Sequence, residues 1–234
     1  MLFPPLVRGR LVRRYKRFLA DVELEDGEVV TAHTANPGRM IGLTEPGRTV
    51  YLSESDNPKR KLRYTWELLQ IGPRLVGINP AKANPLVAEA LEEGRLSEVA
   101  DYDTYQPEVR YGERGSRVDF LLTDSAEVLP ECYLEVKNVT LYEDEGALFP
   151  DAVTERGRKH LLELRDMVEA GHRSVLCFLV QRPEPDYVGP ARRIDPAYAE
   201  TLDEVVEAGV ELIAYRVSVS LKQLEVREAL PIRL

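Results

Sequence analysis

Cysteine is nearly absent from this chain: two residues, Cys132 and Cys177, in 234. Both sit in apolar segments, so the expectation is two buried, reduced thiols, as in a cytoplasmic protein, and not a disulfide scaffold. Neither the cysteines nor the three histidines have zinc-ligand spacing. No apolar run nears the ~20 residues that cross a bilayer. The N-terminus lacks a basic stretch followed by an apolar one, so no secretory leader is expected. These absences point to a cytoplasmic protein without a membrane partner. No Gly-rich loop of the P-loop or dinucleotide-binding type occurs, which leaves a small-molecule metabolic enzyme without support.

The chain does carry enough apolar residues, 44%, to bury cores, and its length suits two small domains. Charge divides it the same way. Residues 1–82 are net +5 (14 Lys+Arg against 9 Asp+Glu) and residues 83–234 are net −14 (17 against 31). The basic part is expected to meet a polyanion, and the acidic part to do something else.

In residues 1–82, short β-like runs at 6–15, 18–24, 29–34, 49–53 and 64–71 alternate with turns at Asp26-Gly27, Asn36-Pro37-Gly38 and Glu45-Pro46-Gly47. About five strands in this length suit a small OB-like β-barrel, though alternation alone fits an SH3-like barrel as well. Arg13, Arg14, Lys16 and Arg17 form one basic cluster, and Lys59, Arg60 and Lys61 another. Aromatic residues, Trp66 among them, interleave with both clusters. A basic groove with stacking rings is a nucleic-acid-binding recipe. The plainer alternative is a solvated strand face over core aromatics, favoured here for Phe18. His33, Asn36 and Arg39 are further candidate contacts. Residues 72–84 read as the interdomain connection.

In residues 83–234, Pro85 introduces a helix over 86–93. Strands follow around Arg117–Leu122 and Cys132–Lys137, a helix over 154–170, a strand over 174–181 apolar on both faces, then a helix over 198–208 and a strand over 210–217. Thr154 or Asp151 caps the long helix and Gly171 ends it. This order fits a mixed sheet covered by helices. If the two central strands pair, Asp119 lies beside Glu135, with Lys137 next along the same face. Two adjoining carboxylates repel, and a divalent cation removes the conflict. Mg²⁺ or Mn²⁺ held there, with Lys137 to orient or deprotonate a water, is the chemistry of a metal-dependent phosphodiesterase. Each residue alone is more often a solvated charge at a strand end.

Longer motifs decide the matter. Ser116-Arg117-Val118-Asp119-Phe120, the run from Cys132 to Thr140, and above all Phe149-Pro150-Asp151-Ala152-Val153-Thr154-Glu155-Arg156-Gly157-Arg158-Lys159-His160 closely resemble the sugar fermentation stimulation protein A family. Arg14–Val22, Asn36-Pro37-Gly38-Arg39-Met40 and Thr65-Trp66-Glu67-Leu68 resemble it too. The resemblance implies an α/β (mixed) fold, with an N-terminal OB-like barrel over 1–82 and a C-terminal PD-(D/E)xK nuclease-like domain over 83–234. It also implies DNA as the partner. Carried over, the catalytic motif falls on Asp119, Glu135 and Lys137, with Val118 where a proline is often found. Nucleases of this fold often add a glutamate from the first helix, which selects Glu89 as the third metal-site residue, with Glu93 as the alternative. Asp151, Arg158 and His160 are expected to support the phosphate or the site. A homodimer is admitted by this reading and demanded by no single feature. The rival reading is a non-catalytic DNA-binding regulator of sugar metabolism on a nuclease fold.

Overall fold

The computed structural model describes residues 1–112 and 115–234. In the basic half, β1 (Leu6–Tyr15), β2 (Leu19–Leu24), β3 (Val29–His33), β4 (Thr49–Glu54) and β5 (Tyr64–Ile71) pair in the order β3-β2-β1-β4-β5. A short parallel pairing of β3 with β5, Ala32 to Tyr64 and His33 to Thr65, closes the ring into an OB-type barrel. Leu11, Val22, Val50, Leu52 and Leu69 fill it around a fully buried Trp66. Each such side chain contributes roughly 1.5–3 kcal/mol by leaving water.

Two aromatic expectations are corrected here. Trp66 is no stacking platform: it is core, and its indole N–H donates to the Leu68 carbonyl at 2.9 Å. Phe18, assigned to the core, is 45% exposed and stacks on His33, centroids 6.5 Å apart. Lys16 and Arg17 reverse the chain with positive φ, so Phe18 belongs to the turn and not to β2. Residues 72–84 are also no plain connection. They hold β6 (Arg74–Gly77), paired with β5, and a 3-10 turn, Pro80–Lys82. Gly72 and Pro73 mark only the β5–β6 turn, and Val76 and Ile78 complete the barrel core.

The acidic half begins with α1 (Ala83–Glu92). Three antiparallel strands follow, β7 (Thr104–Tyr111), β8 (Ser116–Thr123) and β9 (Cys132–Val139). After the small strands β10 (Leu141–Glu143) and β11 (Gly146–Phe149) come α2 (Glu155–Glu169) and β12 (Arg173–Val180), which pairs parallel to β9. β13 (Tyr187–Pro190), α3 (Pro196–Glu207), β14 (Glu211–Val219) and β15 (Leu224–Ala229) complete the chain. The main sheet runs β15-β14-β12-β9-β8-β7. A helix, three antiparallel strands, a helix and a parallel strand give this half its PD-(D/E)xK nuclease-like architecture.

Strand alternation divides the core. Val175, Cys177 and Leu179 of β12 pack with Leu86, Val87 and Ala90 of α1, whereas Leu176 and Phe178 pack with Leu161 and Leu164 of α2 and Leu202 of α3. Cys132 and Cys177 are buried and free. β7 went unread in the sequence because it is an exposed edge strand interrupted by Pro107, a residue that edges tolerate.

Polar contacts lock the halves together. Asp151, just after β11, accepts the Met40 N–H at 2.9 Å. A Cβ on Gly38 would lie 2.4 Å from both Asp151 oxygens, so only glycine lets the barrel loop come this close. Arg14 holds the same loop, donating to the carbonyls of Asn36 (2.8 Å) and Gly38 (2.9 Å).

Candidate active site

β8 and β9 pair from Leu122–Cys132 to Phe120–Leu134, and there the ladder stops. One step further in register stand Asp119 and Glu135. Asp119 replaces the missing backbone partner: one oxygen accepts the Val136 N–H at 2.7 Å, the other the Asn84 amide at 2.7 Å. The splayed strands thus hold a carboxylate where a backbone carbonyl would otherwise sit.

Glu135 lies deeper, 2% exposed, on the face covered by α2. Its Oε1 accepts from Lys137 Nζ at 2.6 Å and contacts His160 Nδ1. Arg156 Nε donates to His160 Nε2 at 3.3 Å, so the ring proton is on Nδ1 and is given to Glu135. Glu135 Oε2 is buried without any hydrogen-bond partner. A buried unsatisfied polar atom costs about 1–3 kcal/mol, more if charged. A divalent cation placed there would offset that cost.

The two acids are pushed in opposite directions. Burial, reinforced by the neighbouring Glu135 charge, raises the Asp119 pKa above the ordinary carboxylate range, against its two hydrogen bonds and Lys137. Burial also pushes Glu135 up, but Lys137 and His160 outweigh it and hold that pKa below the usual value. Glu135 is the committed anion, and Asp119 the one a proton can still contest.

Other predicted residues fall elsewhere. Glu89 is not in the site; it pairs with the Met1 ammonium at 2.6 Å. α1 starts at Ala83, three residues before the expected start, and it is Asn84 in its first turn that reaches Asp119. The alternative, Glu93, pairs with Arg95. Among the described residues, no three His, Cys, Asp or Glu side chains are gathered as a ready metal cluster. His160 supports Glu135 directly. Asp151 is corrected from site support to the barrel clamp. Arg158 does not line the site cavity: Arg156, Lys159 and His160, at positions i, i+3 and i+4 of α2, share the face that does. Thr154 caps α2, its hydroxyl accepting the Gly157 N–H at 3.0 Å.

The barrel residues divide similarly. Arg14, Arg17, Asn36 and Arg39 border a cavity adjoining the carboxylates, although Arg14 and Asn36 are engaged in holding the loop. Arg13 pairs with Asp21 at 2.8 Å and lies over Tyr15. Lys16 is exposed in the β1–β2 turn. Lys59, Arg60 and Lys61 lie on the exposed β4–β5 loop and line neither cavity at the site.

Sequence reasoning missed Asn84 and Glu108. Glu108 stands in register with Asp119 across β7–β8, has positive φ (57°) and lines the same cavity. The unrecognised strand β7 hid it. The donor set, two carboxylates with one orphaned oxygen, fits a hard divalent cation of the Mg²⁺ type.

Two family models cover this chain: the SfsA N-terminal OB domain over residues 12–78 and the sugar fermentation stimulation protein RE domain over residues 81–223. A sugar fermentation stimulation protein homolog of Geobacter metallireducens is 52% identical over 228 residues, 97% of each chain. One of Maricaulis maris is 54% identical over 222 residues, covering 94% of this chain and 93% of its own. Among solved structures, Pyrococcus furiosus SfsA in complex with Ca²⁺ superposes with TM-score 0.90 at 28% identity, covering 100% of this chain and 98% of that one.

Proposed function

This chain belongs to the sugar fermentation stimulation protein family, and on that footing we propose that it is a DNA-binding protein whose C-terminal sheet hydrolyses phosphodiesters with a divalent cation. The observation that carries the reading is the orphaned, buried Glu135 Oε2 beside Asp119 and Lys137. Asp119 and Glu135 would hold Mg²⁺ or Mn²⁺, and the relative solved with Ca²⁺ supports a hard cation. Such an ion, when bound, neutralises phosphate charge and lowers the pKa of its water. Lys137 orients the attacking water and the phosphate oxygen. The water oxygen bonds to phosphorus as the water gives up one proton to solvent, the ester bond opposite it breaks with its electron pair on the departing oxygen, and that oxygen takes up one proton from solvent. His160, held by Arg156, keeps Glu135 ionised and aimed. The barrel supplies cations for the DNA backbone.

A second reading, a non-catalytic DNA-binding regulator, is favoured by one observation: α1 contributes Asn84, not a carboxylate, to Asp119. The test is cleavage of labelled single-stranded, duplex and branched DNA with Mg²⁺, Mn²⁺ or chelator. Metal-dependent products that Glu135→Ala loses at least about a hundredfold support the enzyme. Salt-sensitive binding with no cleavage of any substrate moves the assignment to the regulator.

A further inference from the structure

The carboxylates do not lie on an open face. They lie at the floor of a cavity of about 760 Å³, and a second cavity of about 760 Å³ adjoins it. The two share Pro37, Pro80, Val136, Lys137, Phe149 and Thr154. Pro37 and Pro80 come from the barrel side, Phe149 and Thr154 from the sheet domain, and Lys137 stands at the junction. The result is one slot with a wall from each domain.

Cations line it from end to end. Arg17 and Arg39 of the barrel border the second cavity, and Arg117 and Arg156 border the first. Arg17, Arg39 and Arg117 are exposed. The acid in the second cavity, Asp151, is already satisfied by the Met40 N–H and the nearby Arg14. The acids in the first, Asp119, Glu135 and Glu108, all lie on its sheet-domain wall. A polyanion therefore meets positive walls and a negative floor only at the point of chemistry.

Resting on the reading of this site as a phosphodiesterase, we propose that the slot is the track of one unpaired DNA strand, threaded between barrel and sheet with the scissile phosphate at Lys137. Clefts and cavities of ~300–1,000 Å³ take ligands of drug size, so two in series suit a few nucleotides. Phe149 is an aromatic surface in the shared wall, and sequence-tolerant strand binding combines a basic groove with such surfaces. A duplex, stiff over ~50 nm, would have to bend or open to bring a phosphate down toward a glutamate that is 2% exposed. A strand freed of its complement need do neither.

The experiment is fluorescence anisotropy in chelator with an oligothymidylate of about 16 nucleotides and a blunt duplex of equal length. The proteins are the wild type, Arg39→Glu, Arg117→Glu, Lys61→Glu in the β4–β5 loop and the charge-matched Lys222→Glu in the β14–β15 turn. The proposal expects the single strand to bind at least about tenfold tighter than the duplex. It expects Arg39→Glu and Arg117→Glu, on different domains, each to weaken single-strand binding about tenfold, and Lys222→Glu to leave it unchanged. Equal affinity for duplex and single strand overturns it, as does a loss on Lys61→Glu with none in the slot variants. Slot-dependent binding without metal-dependent cleavage keeps the track and removes the nuclease. Cleavage lost in Glu135→Ala but indifferent to both slot variants keeps the nuclease and removes the track.

Discussion

At the scale of single residues, Glu135 and Asp119 carry opposite burdens. Glu135 is held ionised by Lys137 and His160 with one oxygen left over, and Asp119 is held half-buried with a raised pKa. A raised acid pKa means that the proton competes with a cation at pH values above the ordinary carboxylate range. Mn²⁺ affinity, measured by calorimetry, is therefore expected to be full near neutrality and to weaken as pH falls through that raised value. Binding that holds down to the ordinary carboxylate range would contradict this. A cation at about a hundred times its dissociation constant adds about 2.7 kcal/mol, so saturating Mn²⁺ should raise the melting temperature by roughly 5–10 °C. Glu135→Ala should abolish the rise. Trp66 behaves differently: its truncation to Ala is expected to cost about 3–5 kcal/mol of stability, as a core residue does, and to act on DNA binding only through folding.

At the scale of elements, the splaying of β8 from β9 makes the site and the cap of α2 aims it. Thr154→Ala removes the hydroxyl that accepts the Gly157 N–H, and is expected to cost about 1 kcal/mol in denaturant unfolding. Asp151→Ala strands the Met40 N–H at the barrel contact and should cost about 1–3 kcal/mol while leaving the Mn²⁺-induced shift in place. Loss of that shift would return Asp151 to the site. The elements that could be read in the sequence were those with strong patterns. β8, β9 and β12 are apolar runs, and α2 has a cap, a helical stripe and a glycine stop. β6, β7, β10, β11, β13 and β15 could not be read: they are short or lie at edges, and their residues answer to neighbours far along the chain. The same limit explains Glu89. Asp119, Glu135 and Lys137 were placed by alternation within two strands, a local rule. Which residue of α1 reaches them depends on where the helix starts and how it rolls on the sheet, which only packing decides.

At the scale of the whole molecule, a net charge of −9 conceals a basic barrel docked on an acidic sheet domain. The clamp of Asp151 on Gly38 and Met40 keeps the two walls of the slot in place. Charge on the walls should make DNA affinity fall steeply with salt despite the acidic total. The central claim, that the sheet domain cleaves phosphodiesters, is tested most directly by comparing the wild type with Glu135→Gln on end-labelled DNA in Mn²⁺. This substitution keeps the shape of the side chain and removes its charge. The account predicts cleavage by the wild type that chelator stops and Glu135→Gln lacks, with DNA binding retained. Equal cleavage by both proteins, or none by either with binding intact, would contradict it.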